Sequence, residues 1–176
     1  GDDRRVQIGN FVGDAVKGRT YENYPSGFRE GILLHREIDD YTDHHLVVRE
    51  AIDMLRGDFG RYSGVLTDIY FDHLLARDFR RYSGRSLRWF ACGFYGALVL
   101  NYCYFILTNR LVRYASLSGI KRSLEIMVEY KNLGVDPEAA IVFFERNQDR
   151  LQELFDRFLP DVQEKCRLML EADISC

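Results

Sequence analysis

Proline is nearly missing from this 176-residue chain, at three residues, while 47% of the residues are apolar and 29% charged, so the composition excludes a disordered or linker-rich protein. Cysteine is sparse and unpatterned. Cys92, Cys103, Cys166 and Cys176 form no Cys-x-x-Cys pair and no zinc-like spacing, and they read as reduced core residues plus one at the tail. There is no excess of positive charge, the formal balance being -3, so a nucleic acid backbone is not an expected partner. The chain has no Gly-x-x-x-x-Gly-Lys-Ser/Thr loop to cradle a phosphate, no Gly-x-Gly-x-x-Gly turn and no Gly-x-Ser-x-Gly elbow. Strand-like alternation, internal repeats and low-complexity runs are absent too.

What is present points to a single helical domain over residues 1–176, long enough to bury a proper core. Gly1-Asp2-Asp3-Arg4-Arg5 has no apolar segment behind it to act as a secretory signal, so a cytoplasmic location is the default expectation. A start at Gly rather than Met leads us to expect that some N-terminal sequence is missing. From Trp89 to Asn109 run 21 residues without a charge, a length that can span a bilayer. Asn101 near the middle, Gly93 and Gly96, and tyrosines at 95, 102 and 104 argue instead for a buried central helix that turns near Asn101. No membrane span is expected.

Apolar residues recur at helical spacing along the whole chain, and about seven or eight helices of an all-α bundle account for them. Val6 to Val16 gives a first helix over Arg4–Lys17 with Gly18 as its stop, on which Asn10 and Asp14 share a ridge. Pro25 suits the first turn of a second helix reaching about Tyr41, with Phe28, Ile32, His35 and Asp39 along one stripe. Asp43 is placed to cap a third helix that Gly57 ends, and Ser63 opens a fourth. On that fourth helix Val65, Asp68, Asp72, Leu75 and Phe79 follow one face, so two carboxylates interrupt an expected core stripe and call for partners. Ser118 is expected to cap a later helix stopped by Gly134. Asp136-Pro137 starts a long one, and Pro160 begins or kinks its last segment.

Histidine is confined to one window: His35, His44, His45 and His73 all lie between positions 35 and 73, among the densest aspartates. His35 and Asp39 sit one turn apart and make a bidentate edge for a metal, with Asp72-His73 on another helix as a possible opposite edge. Mixed imidazole and carboxylate donors suit manganese, iron or zinc rather than a thiolate site. The ordinary readings are a hydrogen-bonded core imidazole for His35, a solvated acid for Asp14 and exposed side chains for His44 and His45. Arg77, Arg80, Arg81, Arg85 and Arg88 face only one acid, Asp78, in their segment; such a run is ordinarily a solvated helix face, the sharper reading being an acidic partner.

In order along the chain, Gly9-Asn10-Phe11-Val12-Gly13-Asp14, His35-Arg36-Glu37-Ile38-Asp39 with Thr42-Asp43, and Asp72-His73-Leu74-Leu75 make a recognisable set. With them the chain resembles the acyl carrier protein phosphodiesterases, helical proteins regarded as distant, atypical relatives of the His-Asp metal phosphohydrolases. The resemblance implies hydrolysis of the phosphodiester that joins 4'-phosphopantetheine to a serine of acyl carrier protein, with a metal-activated water as nucleophile and manganese as the favoured ion. By position it implies Asp14, His35, Asp39, Asp72 and His73 as metal-site residues, with Asp68 and Arg36 beside them. Asp68 or Asp39 would take the water proton, and the arginines from 77 to 88 would meet the acidic carrier. This chain lacks the Leu-rich, His-containing segment with which the family usually begins, and its Asp72-His73 order reverses the usual His-Asp dyad. Two other functions remain open on the residues alone: a metal phosphohydrolase of a small nucleotide or other phosphoester, and a non-catalytic helical interaction module.

Overall fold

A computed structural model describes residues 3–91 and 110–172, and it shows the expected all-α class, with no strand among the described residues. The expected buried helix turning near Asn101, and Cys92, Cys103 and Cys176, lie outside the described residues. The helices are α1 (Arg4–Val12), α2 (Ser26–His44), α3 (Leu46–Phe59), α4 (Ser63–Arg77), α5 (Phe79–Ser83), α6 (Arg110–Arg113), α7 (Leu117–Lys131) and α8 (Pro137–Ala172). They form two compact units, one holding the chain up to Leu46 together with the part from Arg157 onward, the other holding Val47–Asp156. Among the described residues no helix is long and apolar enough to cross a membrane.

In the first unit α1 starts where the Asp3 side chain accepts from the Arg5 N–H at 2.8 Å. It stops five residues before the expected end. The Gly13 N–H bonds back to the Asn10 carbonyl, which tightens the chain into a 3-10 turn over Gly13–Ala15. Asp14 therefore rides on that turn and not on a helical ridge with Asn10. A second 3-10 turn, Thr20–Asn23, leads to Pro25, whose extended backbone stands just ahead of α2 rather than in its first turn. α2 continues to His44, so Asp43 lies inside its last turn; the break comes at His45, with φ -71° and ψ 131°.

The packing of α1 on α2 depends on missing side chains. A Cβ on Gly31 would collide with the Val6 carbonyl oxygen and lie 2.6 Å from the Asn10 nitrogen, and one on Gly9 would collide with the Phe28 carbonyl. The spacing between packed helices is set by the side chains at their contact, and here it is backbone on backbone. Residues 157–172 of α8 cover the far end of α2. Phe158 meets the His45 ring edge-on at 5.1 Å, Asp161 lies 3.3 Å from His45 Nε2, and Lys165 approaches Glu37 at 3.7 Å. His45, expected at the surface, is thus packed with 12% of its side chain exposed, while His44 is exposed as expected.

In the second unit α3 passes through Gly57 and ends at Gly60, where φ is +52°. Ser63 opens α4 as expected, its hydroxyl donating to the Gly60 carbonyl. α7 is capped by Ser116 rather than Ser118, because Ser116 has the extended backbone that lets its hydroxyl accept from the Gly119 N–H. It closes at Asn132, with φ 51°, before Gly134 is reached. α8 begins at Pro137 behind Asp136 as expected and runs through Pro160 without restarting. Tyr70 anchors α4 to α8, donating to the Ala140 carbonyl at 2.7 Å beside Phe144.

Gly31→Ala tests the close crossing. It should lower the unfolding free energy of the metal-free protein by about 1–3 kcal/mol, the usual cost of forcing extra methyl volume into a filled contact. A denaturant midpoint equal to that of the unsubstituted chain would show that the helices do not cross so closely.

Candidate metal centre

The residue after one more turn of the Gly27-Gly31 ridge is His35, and one turn further is Asp39, so the face of α2 that meets α1 carries its donors just past the crossing. Gly13 lies against the imidazole: a Cβ there would be 2.5 Å from the ring carbons of His35. The next residue, Asp14, leaves the 3-10 turn toward the same nitrogen. Asp14 Oδ1 is 3.4 Å and Asp39 Oδ2 3.3 Å from His35 Nε2. Neither contact has hydrogen-bond geometry, and Nε2 is a buried nitrogen without a hydrogen-bond partner. One donor atom from each of the three residues lies within 4.8 Å of the others.

An unpartnered buried imidazole nitrogen facing two carboxylates costs free energy that a cation between them would offset. One nitrogen and two carboxylate oxygens form a donor set suited to a borderline or hard divalent ion, so the residues fit a metal. Electrostatics agree with this. Burial pushes the Asp39 carboxyl above its ordinary value, His35 opposes the rise, and the Asp14 and Asp43 carboxylates add to it. Arg36, beside His35 on α2, donates from Nη2 to the carbonyls of Val16 at 3.0 Å and Gly18 at 2.7 Å, with its guanidinium 4.9 Å over the Tyr21 ring.

The profile of the acyl carrier protein phosphodiesterase family matches residues 1–162. The chain belongs to that family. It is 37% identical over 75 residues to the acyl carrier protein phosphodiesterase of Salmonella agona (strain SL483), a stretch covering 43% of this chain and 39% of that protein. To the protein of the same name from Yersinia pestis it is 37% identical over 70 residues, covering 40% of this chain and 36% of that one. The matched stretches thus span well under half the length of these relatives. No solved structure matches the chain.

The remaining family positions lie in the second unit. The His73 ring is buried against Phe144 at 5.0 Å, and its Nδ1 lies 2.6 Å from the Tyr114 carbonyl. A carbonyl only accepts, so Nδ1 carries the proton and Nε2 the lone pair. Burial lowers the His73 pKa, and the bond to Tyr114 opposes that. Asp68 and Asp72 are exposed. The stripe expected to be core is not: Val65, Leu75 and Phe79 are half-buried, and the buried arc of α4 runs through Leu66, Tyr70, His73 and Leu74 on the other side. The two carboxylates are therefore on the exposed side of α4 and not in its core stripe.

The five arginines divide. Arg77 bonds Asp78 at 2.8 Å and Gln152 at 2.6 Å, and Arg81 reaches Asp156 at 3.2 Å, which also accepts from Tyr82 and Gln152. Arg77 thus ties the end of α4, and Arg81 ties α5, to α8. Arg80, Arg85 and Arg88 are exposed, and Arg85 lies 5.3 Å over Trp89, itself 63% exposed. Gly27 and Gly31 are not singled out by the sequence, and Gly9 and Gly13 enter there only as part of a family motif, without their packing role. Their paired four-residue spacing, ending in His35 and Asp39, was the available signal.

The raised Asp39 carboxyl gives a pH prediction. Its contribution to the metal-free fold is fully present below the ordinary carboxylate range and is lost as pH rises through the raised folded value. Near neutrality the charge is a cost, so calorimetry of metal-free Asp39→Asn should show a higher Tm than the parent chain, the gap closing in acid. A lower Tm near neutral pH would contradict the strain.

Proposed function

We propose that the chain is a metal-dependent hydrolase that cleaves 4'-phosphopantetheine from holo-acyl carrier protein, leaving the apo carrier, with manganese as the working ion. The observation that supports it is the buried, unpartnered Nε2 of His35 between Asp14 and Asp39 in a member of this family. His35, Asp14 and Asp39 would hold the ion, which when bound supplies Lewis acidity toward a phosphoryl oxygen and acidifies water. Asp39 would accept the proton from the attacking water at a carboxylate oxygen not committed to the ion. The serine oxygen of the carrier is the leaving group. Metal-site roles for Asp72 and His73, and a proton-transfer role for Asp68, rest on the family resemblance alone.

Acyl carrier proteins are strongly acidic, and the exposed Arg80, Arg85 and Arg88 with Trp89 offer complementary charge and an aromatic face. Such charge raises the encounter rate more than it raises affinity. Arg77 and Arg81 contribute less, their charge being turned to Asp78 and Asp156.

Intact-mass measurement of holo carrier protein incubated with the chain and manganese is the test. Loss of the phosphopantetheine mass is expected. An R80A/R85A/R88A variant should be slower by about tenfold or more at low salt, with the gap narrowing as salt rises. An unchanged holo mass, with an active family member converting the same sample, would reject the activity; an equally fast triple variant would reject the docking face.

A further inference from the structure

We infer that Arg36 is a positioning residue that latches the segment after α1 to α2 and so holds Asp14 in reach of His35 and Asp39, an inference that rests on reading those three residues as a metal site. Asp14 needs such support because of where it stands. It belongs to a three-residue 3-10 turn, and the segment that follows gives little apolar anchorage: Val16 is buried and Tyr21 half-buried, while Lys17, Gly18, Arg19 and Thr20 are exposed. Its own bonds are local, the Thr20 hydroxyl donating to the Lys17 carbonyl at 2.7 Å and Arg19 pairing with Glu22. Local bonds shape the loop without fixing it to α2.

Arg36 supplies that tie. One nitrogen, Nη2, donates to the carbonyls of Val16 and Gly18, and the flat guanidinium lies over Tyr21. Three points along the loop, at 16, 18 and 21, are thus gripped by a single side chain. Arg36 also follows His35 directly on a helix, so the grip and the imidazole move as one body. A lysine cannot reproduce this, because its compact ammonium has no planar face to lay on Tyr21. Partners that orient the residues holding a metal usually alter affinity by about 10–100-fold when removed.

The test measures manganese affinity from the spectrum of the free ion, for the unsubstituted chain and for Arg36→Ala, Arg36→Lys and Asp14→Asn. We expect Arg36→Ala to weaken binding about 10–100-fold, Arg36→Lys to fall between it and the parent, and Asp14→Asn to weaken binding as well. Parent-like affinity in Arg36→Ala beside a weakened Asp14→Asn overturns the latch and leaves the metal site standing. Parent-like affinity in Asp14→Asn overturns the ligand reading instead, and the latch is then decided by trypsin. Lys17 and Arg19 lie in the gripped segment, so metal-free Arg36→Ala should be cut there several-fold faster than the parent chain. Equal cutting overturns the latch. If Arg36→Ala does not fold, Arg36→Lys carries both measurements.

Discussion

The candidate metal centre depends on how closely α1 crosses α2. At Gly9 and Gly31 the two backbones touch the space a methyl group would need, so the crossing distance is set by glycine and not by interdigitated side chains. The site is built just beyond that point. The ridge that presents Gly27 and Gly31 continues one and two turns later as His35 and Asp39, and the glycine spacing on α1 ends at Gly13, beside Asp14. Gly13 then leaves room for the imidazole ring itself. Wider helix separation would move an α1-side carboxylate away from an α2-side nitrogen, and no rotamer change could compensate for a shift of the whole backbone.

Among the described residues each unit holds one buried side-chain nitrogen without a hydrogen-bond partner, His35 Nε2 in the first and Arg113 Nε in the second, and only His35 faces two carboxylates among the described contacts. In the second unit Asp156 accepts from Tyr82, Gln152 and Arg81, and His73 donates to a carbonyl, while Arg113 Nε is buried without a hydrogen-bond partner. In the first, His35 Nε2 is left without a partner, and Asp39 is held above its ordinary value by burial and neighbouring carboxylates. A cation held by the three donors, as proposed, would give the nitrogen at their centre a partner.

Much of the helix content was legible because apolar spacing is a direct record of burial. Ser63 and Asp136-Pro137 also marked their helix starts correctly, since each has a side chain or ring suited to an orphan end. Other ends were misjudged for a physical reason: glycine permits a left-handed turn but does not demand one. α3 passes Gly57 and turns at Gly60, while α7 turns at Asn132 before Gly134. Asp68 and Asp72 looked buried because Val65, Leu75 and Phe79 share their stripe, yet the wider buried arc is the one holding Tyr70 and His73. The pairing of His35 with Asp39 followed from helical spacing alone. The approach of Asp14 did not, because it comes from a tight turn whose position is a tertiary fact, and the same holds for the packing of His45 against Phe158 and Asp161.

Anomalous diffraction from a crystal of the chain soaked in manganese tests the central claim most directly. A strong peak is expected roughly 2 Å from His35 Nε2 and from one carboxylate oxygen each of Asp14 and Asp39. A manganese peak bound elsewhere, with His35 Nε2 still unpartnered, would contradict it.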